Sequence, residues 1–303
     1  MKSAQIWPLV KESVLSWSRD SASSMGASLA YYTVFSIAPL LLIVVSIAGL
    51  VFGEEAARGE ILAQLRGLLG EEGAAAVQGL LESASERVRP GWAAVGSVAV
   101  LLIGATTVFA ELQRALDLVW RAPEPPAQQG LWRFLRARLL SFGLILAFGF
   151  LLLVSLIASA ALAALGQWWG PMLGGWEIVA QVLNFAISFA IITVMFAMIY
   201  KFMPRVSVQW PDVWVGAVVT AALFTIGKTL IGLYLGTSAV ASGFGAAASL
   251  VVLLVWVYYS AQIFLLGAEF TSVYAHTLGS LRGQTRPAAP PRVSGRRVRV
   301  AAR

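Results

Sequence analysis

The sequence predicts an all-α fold, a polytopic membrane bundle of six transmembrane helices, and three observations predict it. Six apolar runs follow one another along the chain. Each is about 20 residues or longer, enough at 1.5 Å per residue to cross a ~30 Å hydrocarbon layer. The runs are apolar around their whole circumference, whereas a helix on the surface of a soluble core needs only one apolar stripe. Composition agrees: of 303 residues, 58% are hydrophobic and 12% charged, against about 45–50% and about 25% in soluble domains. Membrane β-strands would be about 10 residues long and would alternate in polarity, which these runs do not.

Residues 1–31 precede the first run. Within them Ile6, Val10, Val14 and Trp17 recur at helical spacing beside Lys2, Lys11 and Arg19. This suits a helix lying in the membrane interface, or equally a lead-in helix packed on the bundle. The membrane domain is expected over 32–275, its spans running over Tyr32–Phe52, Trp92–Glu111, Leu139–Leu165, Ile178–Met203, Val213–Gly236 and Phe244–Phe270. Between the first two spans, residues 53–91 carry one apolar stripe at Ile61, Leu62, Leu65, Leu68 and Leu69 and another at Val77, Leu80, Leu81 and Val88. Gly70 and Gly73 separate them, so the stretch reads as an extracytoplasmic hairpin of two short helices. A proline-rich linker, 121–130, divides the first two spans from the rest. The tail, 276–303, is rich in Arg, Pro and Ala with little to bury, and is expected to be disordered.

Charge sets the orientation. Of the 22 basic residues, Arg58, Arg66, Arg87, Arg89 and Lys228 are the exceptions; all others fall before the first span, after spans two and four, or in the tail. The positive-inside rule then places both termini in the cytoplasm of a bacterial cell, with the chain multi-pass in the inner membrane. The first apolar run begins near residue 32 and is too long for a signal core, so no cleavable signal is expected. The net charge of +7 comes largely from the basic tail and suits contact with anionic lipid more than with nucleic acid. With no cysteine there is no disulfide, thiolate metal site or cysteine nucleophile. The lone histidine, His276, reads as an interfacial residue, and no metal site or cofactor is expected.

The polar residues inside the spans carry the functional expectations. Lys228 is the one charge far from a span end, about 12 Å below the outer boundary on helical rise. At comparable depth the sequence offers Asn184, Ser188 and other hydroxyls but no carboxylate, so the ammonium resembles a place for an anion; a lysine held by hydroxyls and carbonyls is the structural alternative. Thr225, Lys228, Gly232 and Gly236 share one helical face with Ala221, fit for close helix packing or for a ligand. The stretch Ala222 to Thr229 imitates a phosphate loop, but its middle is Leu223, Phe224 and Ile226 within a span, where the exposed backbone such a loop needs is costly. Pro39 removes a backbone hydrogen bond and predicts a bend or hinge in the first span. Glu111, Glu269 and Gln262 lie toward the cytoplasmic ends, as a gate or as ordinary interface residues.

Several blocks together resemble a known family. These are Gly26–Pro39 (GASLAYYTVFSIAP), Thr106–Trp120 (TTVFAELQRALDLVW), Tyr200–Pro204 with Val208–Asp212, Gly227-Lys228 with Gly232–Leu235, and Ser260–Glu269 (SAQIFLLGAE). In this order, over about residues 20–275, they resemble the YihY/virulence factor BrkB family. Ser242-Gly-Phe-Gly245 departs from it, since a Tyr-Gly pair is expected before span six. The resemblance implies a six-span bacterial inner-membrane protein. It also brings the family's old label of ribonuclease BN, which the sequence opposes because it has no metal cluster and no nucleophile–base set. A further link to movement of lipid-like molecules makes the leading expectation a transporter or flippase for an anionic lipid or small amphiphile, with Lys228 at the head group. A non-transporting membrane scaffold is the alternative.

Overall fold

The computed structural model describes residues 3–85, 92–123, 176–237 and 248–284, with scattered helical positions between 139 and 154. Among these residues the chain is helical, with no strand. We number the helices α1 (Ser3–Arg19), α2 (Ala22–Phe52), α3 (Glu54–Ser85), α4 (Trp92–Val119), α5 (Trp176–Phe202), α6 (Trp210–Thr237) and α7 (Ala248–Thr277). Four segments are long and apolar enough to cross a membrane: Ala22–Leu50, Ile178–Phe202, Trp210–Tyr234 and Leu250–Thr277. The third apolar run and the proline-rich linker lie mostly outside the described residues, although Leu144 is buried and joins the main core cluster.

α7 is the centre of the assembly. It packs on α6, α2, α1, α3 and α4. Its seam with α6 is made by an exchange of small residues. A Cβ at Gly216 of α6 would collide with Thr271 of α7, and one at Gly267 of α7 would collide with Thr220 of α6 and the Tyr200 hydroxyl. Each threonine hydroxyl donates to the carbonyl of the glycine one turn earlier in its own helix, Thr220 to Gly216 at 2.7 Å and Thr271 to Gly267 at 2.7 Å. The hydroxyls are thus satisfied within their own helices and the backbones approach closely, the packing mode that membrane helices favour. Tyr200 of α5 closes the junction. Fully buried, it donates to the Phe264 carbonyl at 2.8 Å and lies 3.1 Å from the Thr220 hydroxyl.

The helix assignment of α3 is unbroken over 32 residues, yet Arg58 Nη2 lies 3.4 Å from Glu82 Oε1. In a straight helix those residues would stand about 36 Å apart. α3 therefore doubles back on itself between Arg58 and Glu82. Its arms do not stand clear of the bundle. Val77 and Leu81 are buried with Val34 and Leu41 of α2 and Leu253 of α7, with Ile61 and Leu65 against them. The hairpin lies along the flank of α2 and α7.

Three elements end elsewhere than the segments and apolar runs read from the sequence. The segment expected to end at residue 31 ends at Arg19, because α2 is continuous from Ala22 through the first apolar run. α4 runs to Val119, two turns past Glu111, because its last turns bury Ala115, Leu116 and Val119. The tail is ordered as far as Gln284. Asp212, at the start of α6, accepts from the Ser280 amide and, at 2.5 Å, from its hydroxyl, while Leu281 joins the main core cluster. Residues 285–303 lie outside the described residues.

Pro39 sits within the unbroken α2. Its ring faces Gly104 of α4, where a Cβ would come within 3.1 Å of Pro39 Cγ. The proline is thus a packing element whose bulk a glycine accommodates. On the small-residue face read as fit for close packing or for a ligand, Gly232 is exposed, and no described atom lies within 4 Å of where its Cβ would be. The close contacts of α6 lie on the adjoining face, at Gly216, Thr220 and Gly227. Gly236 lies in the last turn of α6.

Two outcomes follow. Gly267→Ala lowers the melting temperature in detergent, by an overpacking cost of about 1–3 kcal/mol, whereas Gly232→Ala, which meets nothing, leaves it unchanged or slightly raised. In this cysteine-free chain, Arg58→Cys with Glu82→Cys is bridged within one molecule by a short bis-maleimide. A straight α3 would leave both thiols singly modified.

Candidate functional site

Lys228 lies on α6 at the edge of its packed face, half-buried, beside buried Gly227 and one turn before buried Ile231. Pairwise contacts fix what stands opposite. Tyr200 meets Thr220, and Phe196 meets Phe224 at 5.7 Å between ring centroids. This antiparallel register brings Lys228 level with Ile192 of α5. Gly227 is covered by Ile263 and Tyr259 of α7, the Tyr259 hydroxyl standing 3.1 Å from the position of a Cβ. The stretches of α5 and α7 at the level of Lys228, residues 188–196 and 256–263, contain no carboxylate. No hydrogen bond or ion pair joins Lys228 to another described residue.

The same register places Ser188 about one helical turn, and Asn184 about two turns, from the Lys228 level, toward the α6 C-terminus. Ser188 is half-buried and Asn184 exposed. Thr225 is three residues from Lys228, and its hydroxyl is buried without a partner among the described residues. Sequence reasoning passed over Tyr259. Its signal was a tyrosine pair, Tyr258-Tyr259, inside an otherwise apolar run. With Tyr259 added, the site is one ammonium, two hydroxyl-bearing side chains and the exposed flank at Gly232. Chemically it offers hydrogen-bond donors and a positive charge beside an apolar surface, which suits an anionic group attached to an apolar body.

The three residues expected to form a gate occupy separate settings. Glu111 forms an ion pair at 2.6 Å with Arg114 on its own helix. Gln262 lies against Gly26 of α2, so closely that a Cβ there would clash with its amide nitrogen. Both the oxygen and the nitrogen of that amide are buried without a hydrogen bond among the described residues. Glu269 lies seven residues further along α7, on the same face and about 10 Å away, and is fully buried.

Where the helices end, polar clamps dominate. Asp117 accepts from the Arg205 amide at 2.8 Å and pairs with its Nε at 3.2 Å, and Gln113 donates to the Met203 carbonyl at 3.0 Å. Together these fasten the end of α4 to the turn between α5 and α6. Burial pushes the Asp117 carboxyl above its ordinary value of 3.8, against the opposing pull of the Arg205 amide and charge. Lys201 donates to the Val208 carbonyl at 2.5 Å and stands over the Trp210 ring at 5.4 Å. Arg121 Nη2 pairs with Asp20 Oδ1 at 2.7 Å, joining the end of α4 to the corner between α1 and α2.

A bundle of long apolar helices, stitched by glycine and threonine and clamped by ion pairs at its helix ends, defines an integral membrane protein. The chain belongs to the virulence factor BrkB family, whose model matches residues 14–292. It is similar to a UPF0761 membrane protein of Halorhodospira halophila, 28% identical over 256 residues, covering 84% of this chain and 54% of that protein. A UPF0761 membrane protein of Pseudomonas aeruginosa is 29% identical over 256 residues, covering 82% and 58%. One of Albidiferax ferrireducens is 34% identical over 174 residues, covering 56% and 39%. This chain therefore spans little more than half the length of the first two relatives. No solved structure matches it.

The raised Asp117 pKa has a definite sign. The folded protein holds that proton to higher pH than the unfolded chain does, so the group's contribution to stability is fullest at low pH. It falls as pH climbs from about 3.8 through the folded value. Melting temperatures measured across the carboxylate range show this decline in the wild type, and Asp117→Asn removes it.

Proposed function

We propose that the protein spans the bacterial inner membrane six times, with both termini in the cytoplasm, and moves an anionic lipid or related amphiphile across it. Four candidate spans are described; α4 and the third apolar run supply the other two. On this arrangement the Arg-rich connections and the α1 end of the bundle face the cytoplasm. α1 suits the interface itself. It turns Leu9, Ser13 and Ser16 inward and leaves Trp7, Val10 and Val14 exposed, an apolar arc for the headgroup layer with Lys11 beside it.

One observation carries the reading: a half-buried ammonium within a span, with no carboxylate on the stretches of α5 and α7 at its level. A charge there is costly unless it has something to neutralise it. A head group that brings its own negative charge satisfies the lysine only while it is passing, which is what a transport site requires. The exposed flank of α6 beyond Lys228, at Thr229, Leu230, Gly232, Leu233 and Tyr234, gives the apolar part of such a substrate a route that stays in lipid. Thr225 and Tyr259 are the neighbouring hydroxyls. Anionic lipid is the natural partner of the basic tail as well.

The test is flux. Purified protein in liposomes should move a labelled anionic lipid between leaflets. Lys228→Met should slow this by about tenfold to a hundredfold, the worth of a hydrogen bond to a charged group, and Lys228→Arg should retain most of it. Equal rates in wild type and Lys228→Met would remove the lysine from the mechanism. Absence of any flux in the wild type would favour the membrane scaffold.

A further inference from the structure

The corner where Asp20 meets Arg121 breaks three local rules at once. Both helix stops use the left-handed backbone region without glycine: Ser21 has φ 58° and Arg121 has φ 53°, and they are the only non-glycine residues of positive φ among those described. At Arg121 the reason for glycine is plain. α4 ends with Ala122 N–H reaching back to the Asp117 carbonyl at 2.8 Å and Arg121 N–H to that of Leu118 at 3.2 Å, a closure whose left-handed residue is usually glycine because a Cβ is penalised there. The ion pair is also buried, its side chains 8% and 2% exposed.

The pair is incomplete as well. Arg121 meets Asp20 end-on through Nη2 and Oδ1, although the guanidinium and carboxylate could have met side-on with two bonds. The atoms that a side-on pair would have used, Arg121 Nε and Asp20 Oδ2, are both buried without a partner among the described residues. So are the indole nitrogens of Trp120, next to Arg121, and of Trp17, three residues before Asp20. A buried ion pair with such remainders returns little as a static brace. Strained backbone of this kind collects where a protein must change state.

We infer that Asp20 and Arg121 form a latch that opens, separating the α1–α2 corner from the end of α4. α1 itself is anchored elsewhere, chiefly along α7. The contacts that the latch guards are small. Ala22 is fully buried beside it, and Gly26 one turn further rests on the amide of Gln262. Opening the corner uncovers this strip and admits water between α2 and α7 from the α1 end. In terms of the transport reading, this is the gate on the side opposite the Lys228 flank, and that role rests on the reading. The latch itself does not.

The chain contains no cysteine, so a single Ala22→Cys reports the corner by its rate of maleimide labelling in detergent and in liposomes. Slow labelling is expected with the latch intact. Asp20→Asn and Arg121→Gln should each raise the rate by about tenfold, and the charge-swapped pair Asp20→Arg with Arg121→Asp should bring it back down. A control at Ala221→Cys, fully buried on α6, should not respond. Unchanged rates at Ala22→Cys would overturn the latch, and so would a parallel rise at the control, which signals loosening of the whole bundle. The gate is tested by tethering Asp20→Cys to Arg121→Cys with a short bis-maleimide. Tethering should abolish lipid flux, and flux that persists would show that the corner is no gate. If labelling responds as expected but the wild type moves no lipid, the transport reading fails while the latch stands.

Discussion

The seam between α6 and α7 is the contact on which the rest of the structure is hung. It repeats one device in two helices, a glycine followed four residues later by a threonine: Gly216 with Thr220, and Gly267 with Thr271. Each glycine vacates the space that the other helix's threonine fills, and each threonine returns its hydroxyl proton to its own backbone. In a hydrocarbon layer, where apolar side chains gain little by leaving lipid for protein, close backbone approach and satisfied hydroxyls are what hold helices together. Tyr200 brings α5 to the same point, and the aromatic group of Phe196, Tyr200, Phe224 and Phe264 packs around it. α1, α2 and α3 attach to this core chiefly through α7, and α4 is clamped to the turn between α5 and α6 as well.

Much of the fold was legible because lipid imposes a blunt requirement. Every backbone amide must be satisfied internally over a fixed thickness, so long apolar runs announce helices without reference to their neighbours. The reversal in α3 was legible for a local reason, two glycines between two apolar stripes. Helix ends were less so. α2 begins at Ala22 because residues before the apolar run pack against α7, and α4 outlasts its apolar run because Ala115, Leu116 and Val119 are buried. Those contacts come from distant parts of the chain and leave no periodic signal. The order in residues 280–284 escaped notice likewise, since it depends on Asp212, far away in sequence.

The candidate site was legible in its centre and not in its surroundings. Lys228 stands out in any hydropathy profile. What surrounds it depends on the register of three helices, so depth alone matched it with Ser188 and Asn184, while the register sets Ile192 at its level and Tyr259 against its neighbour Gly227. The small residues Ala221, Gly232 and Gly236 lie on another face of α6 from its seam with α7, which a repeated glycine–threonine spacing marks. The Asp20–Arg121 pair had no sequence signal beyond two opposite charges at helix ends a hundred residues apart.

The glycine–threonine seam has a mechanical consequence. Two helices interlocked at both Gly216 and Gly267 cannot slide past one another without driving a threonine into backbone, so α6 and α7, with α5 bolted on through Tyr200, behave as one plate. Among the described helices, movement is then left to those that ride on that plate, α2 among them. At Gly26 its contact is the Gln262 amide, neither of whose polar atoms has a hydrogen bond among the described residues. It loses no hydrogen bond when it moves, which makes it the natural sliding surface.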